Sequence, residues 1–140
     1  MKFPYSKITL PEKSDFFGSS ILKPIIDIRI ANVDKSLQYN ALVDSGADFS
    51  IFHSAVAGVL GIDIESGHKL TFGGVQKAND AAAYLHKVTL VIGGWKYPTV
   101  VGFSDEISDE SYGILGQRGF FDIFSVKFDY QKEEIELKQK

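Results

Sequence analysis

The stretch Ala41-Leu42-Val43-Asp44-Ser45-Gly46-Ala47-Asp48 runs three apolar residues directly into an acid, a hydroxyl and a glycine. The apolar run from Leu37 to Val43 reads as a strand, and that strand delivers Asp44 to its tip. Taken alone, Asp-Ser-Gly describes an ordinary turn, with Asp44 and Ser45 satisfying local backbone groups and Gly46 supplying a positive φ. Its surroundings make it more specific. About seventy residues downstream, Gly113-Ile114-Leu115-Gly116 brackets two bulky apolar residues with glycines.

Working outward, Pro24-Ile25-Ile26-Asp27-Ile28-Arg29-Ile30 alternates apolar and polar side chains, the period-2 signature of a half-buried strand. Ser54 is placed to N-cap a short helix over Ala55 to Leu60, with Gly61 just beyond its end. Lys69–Phe72 and Tyr84–Ile92 read as further strands. Gly93-Gly94 joins the second of these to Trp95-Lys96-Tyr97 through a two-glycine hairpin turn, because a type I′ turn needs positive φ at both central positions. Gln117–Asp122 suggests a helical turn, and Phe124–Tyr130 with Ile135–Lys138 a closing hairpin. Many short strands, glycine-rich turns and little helix predict an all-β barrel or sandwich, and residues 1–140 read as one domain.

Composition narrows the function classes. A chain of 140 residues with 44% hydrophobic and 24% charged residues matches an ordinary globular domain. At this size about 68–70% of the extended surface is buried on folding. No apolar run approaches the roughly 18 residues that cross a bilayer. The start Met1-Lys2-Phe3-Pro4-Tyr5 lacks a basic segment followed by an apolar one, so no membrane association and a cytoplasmic location are expected. With no Cys, disulfides, Cys-based zinc sites and thiol nucleophiles are ruled out. A net charge of −3 gives no reason to attract nucleic acid. His53, His68 and His86 lack metal-binding spacing, and the paired glycines lack a phosphate-binding pattern, so neither metal nor cofactor is expected.

With both motifs in view, the chain resembles the retroviral-type, retropepsin-like aspartic peptidases. Their pattern is apolar-apolar-Asp-Ser/Thr-Gly-Ala, then a glycine-bearing flap, then apolar-apolar-Gly. The match runs from about Pro24 to Phe128, strongest over Leu42–Asp48 and Ile114–Gly116. The continuation Gly119–Asp129 is closest to the small prokaryotic members. The resemblance implies a retropepsin-like acid-protease barrel with one or two short helices. It also implies hydrolysis of a polypeptide substrate by water activated between two carboxyls that share one proton.

This chain carries one Asp-Ser-Gly. Glu65-Ser66-Gly67 has Glu in place of Asp and lacks the following Ala, and reads as a plain turn. The second carboxyl is therefore expected from another copy, with Asp44 of each subunit meeting on a two-fold axis of a homodimer. Ser45 is not expected to be a nucleophile, since Val43 stands where a nucleophile elbow needs glycine. The resemblance gives Ser45 and Gly46 the role of supporting the active-site loop. Substrate contacts are assigned to Ala47, Asp48, Gly73, Gly74, Val75, Tyr112 and Ile114, with the flap over Phe72–Lys77. In the family, Asp48 pairs with an Arg that follows the apolar-apolar-Gly motif. Here that position holds Gln117, leaving Arg118, one residue later, either as its substitute or as a solvated side chain. The rival expectation is a catalytically silent dimeric peptide-binding module of the same fold. The segment 134–140 is open to two readings, an intersubunit strand or one paired within its own chain.

Overall fold

The computed structural model describes residues 1–72, 81–108 and 112–140. In chain order the strands are β1 (Lys2–Pro4), β2 (Ser6–Ser14), β3 (Gly18–Lys23), β4 (Ile25–Asn32), β5 (Lys35–Val43) and β6 (Ile51–His53). After the helix α1 (Ser54–Val59) and a 3₁₀ turn at Ile64–Ser66 come β7 (His68–Phe72), β8 (Ala81–Ile92), β9 (Trp95–Ser104), β10 (Gly113–Leu115), β11 (Phe124–Asp129) and β12 (Glu134–Gln139).

The alternation around Ile28 becomes β4, where Ile26, Ile28 and Ile30 are buried while Asp27 and Arg29 face water. β4 pairs antiparallel with β5, and hydrogen bonding continues through β10, β6, β9 and β8. The long strand β8 closes the ring. Along one edge it pairs with β9; along the other its first half pairs with β7 and its second half, Thr89–Val91, returns to β4. Six strands thus form a closed barrel, with β7 attached outside the ring. This is the expected all-β, retropepsin-like acid-protease barrel.

The barrel interior is filled by Ile26, Ile28, Ile30, Val43, Leu90, Val101, Phe103 and Leu115, all buried. Fully burying an aliphatic side chain contributes about 1.5–3 kcal/mol, so these positions fix the register of their strands far more firmly than the turns do. Six residues of helix are too few to be stable alone. Packing of Val56, Ala57 and Leu60 into the core holds α1 in place. Its cap differs from expectation. His53, not Ser54, occupies the N-cap, and its Nδ1 accepts a hydrogen bond from the Ala55 N–H. Gly93 and Gly94 take φ of 60° and 85°, as the β8–β9 turn requires.

The chain ends form a separate sheet in the order β1-β12-β11. Residues 134–139 therefore pair within their own chain, through β11 and β1. Ile135 and Leu137 of β12 join Phe124 and Phe120 in the core. A two-stranded hairpin, β2–β3, carries Phe16 and Phe17 exposed at its turn, with the rings stacked edge-on at 4.8 Å.

Tyr5, beside this terminal sheet, has its phenol pKa raised above the usual 10.0 by burial and then by the charge of Asp129 and by Tyr130. A raised folded-state value means that the unfolded chain loses this proton first. The stability tied to it is complete below pH 10 and is lost as pH rises toward the folded value. Tyr5→Phe should reduce the alkaline fall in stability above that pH, measured by urea midpoints across pH, while leaving the neutral-pH midpoint nearly unchanged.

Candidate active site

β5 ends at Val43 and the chain turns, running through residues 44–50 into β6. β10 is threaded between the two, parallel to β5 and antiparallel to β6, with Ile114 opposite both Leu42 and Ile51. The two sequence motifs thus become neighbouring strands. Their continuations stay paired beyond the sheet. Asp44 N donates to Leu115 O at 3.0 Å, Gln117 N to Ala47 O at 2.8 Å, Arg118 N to Asp48 O at 3.0 Å and Ser50 N to Arg118 O at 2.9 Å. The loop bearing Asp44 is therefore held along its length by the segment after Ile114.

Within the loop, the half-buried Asp44 carboxylate accepts the Gly46 N–H through Oδ1 at 2.9 Å, and Asp44 O accepts from Ala47 N at 3.2 Å. Oδ2 makes no hydrogen bond among the described residues, so one carboxylate oxygen is fixed and the other is open. Gly46 does not take a positive φ. The conformational freedom expected of it is not what this position uses. A Cβ there would lie 3.3 Å from Asp44 Oδ1, so glycine keeps space beside the acid. Ser45, Gly46 and Asp48 are exposed, and Ala47 is half-buried. The Ser45 hydroxyl makes no hydrogen bond within the chain among the described residues.

Gln117 and Arg118 depart from the resemblance. Gln117 Nε2 donates to Ser45 O at 2.7 Å, tying the loop from the position where the family has Arg. The Arg118 side chain does not reach Asp48. Its backbone bridges Phe49, and its Nε lies 3.8 Å from Asp122 Oδ2 in an exposed pair. The expected helical turn at 117–122 is instead a set of tight turns. Gly119 sits at φ 100°, outside helical space, and its N–H donates to Asp122 Oδ1 at 3.0 Å. That geometry directs Arg118 toward Asp122.

Ile114 is half-buried in β10. Tyr112, also half-buried, accepts a 3.3 Å hydrogen bond from Lys23 Nζ, which lies 5.8 Å from its ring centroid. Gly73, Gly74 and Val75, and with them the flap, lie outside the described residues. Among the described residues no group of three or more His, Asp or Glu side chains is placed to hold a metal, and no helix is long and apolar enough to cross a membrane.

No protein-family model matches this chain, and no curated protein matches it at a significant level. Among solved structures, it is similar to an EIAV protease complexed with the inhibitor HBY-793. The two share 23% identity over 68% of this chain and 82% of that chain, with a TM-score of 0.47.

Sequence reasoning passes over one residue that the site needs. Ser50 is fully buried, and its hydroxyl accepts the Gly116 N–H at 3.0 Å while its carbonyl accepts the Gly102 N–H at 2.8 Å. A serine two positions after Asp48 carries no periodic or turn signal, so only the threading of β10 reveals it. Ser50→Ala should cost about 1–3 kcal/mol by leaving the Gly116 N–H buried and unpaired, whereas Ser45→Ala should cost under about 0.5 kcal/mol. Chemical denaturation of both variants checks this ordering.

Proposed function

We propose that the chain is an aspartic endopeptidase that works as a homodimer and hydrolyses peptide bonds with water activated between two Asp44 carboxyls. The observation that carries this reading is the ladder clamping residues 44–50 against residues 115–118, which holds Asp44 at the end of β5 with one oxygen bound to Gly46 N and the other open. Such fixed placement is what a catalytic carboxyl requires, since misplacement by an ångström costs large factors in rate. The exposed Ser45 hydroxyl, without a partner among the described residues of its own chain, suits a hydrogen bond across a two-fold axis to the opposite loop.

In this mechanism one Asp44 is ionised and the other protonated. The ionised carboxylate takes a proton from water as the oxygen attacks the peptide carbonyl, and the protonated partner gives its proton to the carbonyl oxygen. As the tetrahedral intermediate collapses and the C–N bond breaks, the carboxyl that took the water proton gives it to the leaving nitrogen, and a hydroxyl of the intermediate returns a proton to the other carboxylate, restoring the pair. One carboxyl thus serves as base and the other as acid in the same step. No cofactor enters, and residues 1–140 act as one domain. The substrate is a polypeptide in the cytoplasm, and neither nucleic acid nor membrane takes part. Ala47, Asp48, Tyr112 and Ile114 contact the substrate, and Gly73, Gly74 and Val75 cover it as a flap. The continuation Gly119–Asp129 sets the chain nearest the small prokaryotic members of the family.

The rival reading, a silent peptide-binding module, draws on one observation: Asp48 lacks the arginine partner of the family pattern, Arg118 being turned to Asp122. A pH scan of cleavage on a mixed peptide library, with and without a statine-type transition-state mimic, separates the two. Cleavage that the mimic blocks supports the peptidase. Saturable binding of the mimic with no cleavage at any pH supports the module.

A further inference from the structure

One sizeable cavity among the described residues does not open on Asp44. It measures about 520 Å³ and lies between the outer face of the β8–β9 sheet and the turns at residues 118–123. That volume falls within the range of about 300–1,000 Å³ typical of small-molecule sites. On β8 the barrel interior is filled by Val88, Leu90 and Ile92, and on β9 by Val101 and Phe103. Leu85 and Val100 have the opposite parity and point away from that core, so their apolar surface belongs to the cavity. Val100 remains 43% exposed in the middle of a ten-residue strand. Phe49, Leu70, Pro98 and Ile123 complete an apolar lining.

The lining carries two charged side chains, Arg118 and Asp122, and they differ in what they are free to bind. Thr99 Oγ1 is committed to Gly119 O at 2.9 Å, and Asp122 is committed through both oxygens, to Gly119 N and to Arg118 Nε. Arg118 is not: its side chain is 86% exposed, its one ion pair among the described residues is that 3.8 Å contact, and its two terminal nitrogens make no hydrogen bond among them. An apolar chamber with a guanidinium at its mouth fits a particular chemistry.

We propose that this cavity is a binding site for a small amphipathic anion, an apolar body of one or two rings or a short alkyl chain that ends in a carboxylate or sulfonate held by Arg118. Two of the residues it would touch also belong to the setting of the Asp44 loop. Phe49 packs edge-on against Phe72 at 5.5 Å, and the Arg118 backbone supplies the bonds that hold Asp48 and Ser50. The proposed site thus borders the segment that carries Asp48, and it stands independently of whether that loop is catalytic.

The test is titration of the full chain with 1-anilinonaphthalene-8-sulfonate and with its uncharged analogue N-phenyl-1-naphthylamine. Fluorescence gives the affinity, and methyl NMR of Leu70, Leu85, Val100 and Ile123 gives the location. We expect saturable binding of the sulfonate with shifts centred on those methyls. Arg118→Gln should weaken the sulfonate about tenfold and leave the neutral analogue unchanged. Val100→Trp, at an exposed position that tolerates the ring, should weaken both at least tenfold by filling the chamber. Asp44→Asn should change neither, so this result stands apart from the peptidase reading. Shifts that map elsewhere, such as onto the exposed Phe16–Phe17 turn, or wild-type affinity for the sulfonate in Arg118→Gln, would overturn the proposal.

Discussion

Replacing Asp44 with Asn is expected to lower peptide cleavage by at least about 10³-fold while leaving fold and stability nearly intact. The size follows from the role: Asn has the same shape but can neither take a proton from water nor share one with its mate. The fold should tolerate the change because, among the described residues, the Asp44 side chain accepts a single hydrogen bond, from Gly46 N to Oδ1, and an amide oxygen can accept it as well. The check is cleavage rate beside a urea unfolding curve. A variant that cleaved undiminished would remove Asp44 from the chemistry. Lost cleavage with a shifted unfolding midpoint would point to structural damage, and so the two measurements belong together.

The second large effect concerns the glycine that lets the two motifs touch. A Cβ on Gly116 would lie 2.5 Å from Phe49 O, 2.6 Å from Phe49 C and 2.8 Å from Ala47 O. All three are backbone atoms of the Asp44 loop, so no side chain can swing aside to relieve the contact. Gly116→Ala should destabilise the protein by about 3 kcal/mol or more, at the upper end of overpacking costs. At about 2–4 °C per kcal/mol this is a fall in Tm of roughly 6–12 °C. Surviving folded protein should also lose activity, because the loop must move away from residues 115–118. Gly58 supplies the contrast. It sits inside α1, a Cβ added to it would meet nothing within 4 Å, and Gly58→Ala should raise stability by about 0.5–1 kcal/mol. Thermal melts of both variants test whether close backbone approach, and not glycine content as such, sets the cost.

The barrel is readable in the sequence where burial imposes a period. Ile26, Ile28 and Ile30 alternate because one face of β4 meets the core, and Gly93-Gly94 announces its turn because few other residues accept that backbone. The strands β1, β2 and β3 leave no such trace. β2 is exposed or half-buried throughout and contains Pro11, and β1 is only three residues long, so neither presents a buried face long enough to show a period. β9 continues past Tyr97 through Pro98 to Ser104, where the alternation is lost because residues 101–104 are all buried, Gly102 on the outer face lying under Phe49. At the site, the pairing of the two motifs is implied by the family resemblance and by no periodicity in the residues themselves. The roles of Ser50 and Gln117 are not, because each depends on a partner about seventy residues away whose position only the threading of β10 determines. The direction of Arg118 escapes the sequence for a similar reason. It follows from the left-handed φ of Gly119 and the backbone bridge to Phe49, both outside any helical periodicity.

The central claim is that each working site uses one Asp44 from each of two chains, and mixing wild type with Asp44→Asn tests it most directly. The two chains are unfolded together, refolded at fixed total concentration, and assayed across the range of mixing ratios. If the acids are shared across a two-fold axis, mixed dimers are inactive and the rate falls as the square of the wild-type fraction, to about one quarter at equal amounts. A rate that falls in simple proportion to the wild-type fraction would mean that each chain cleaves by itself, and would contradict the account.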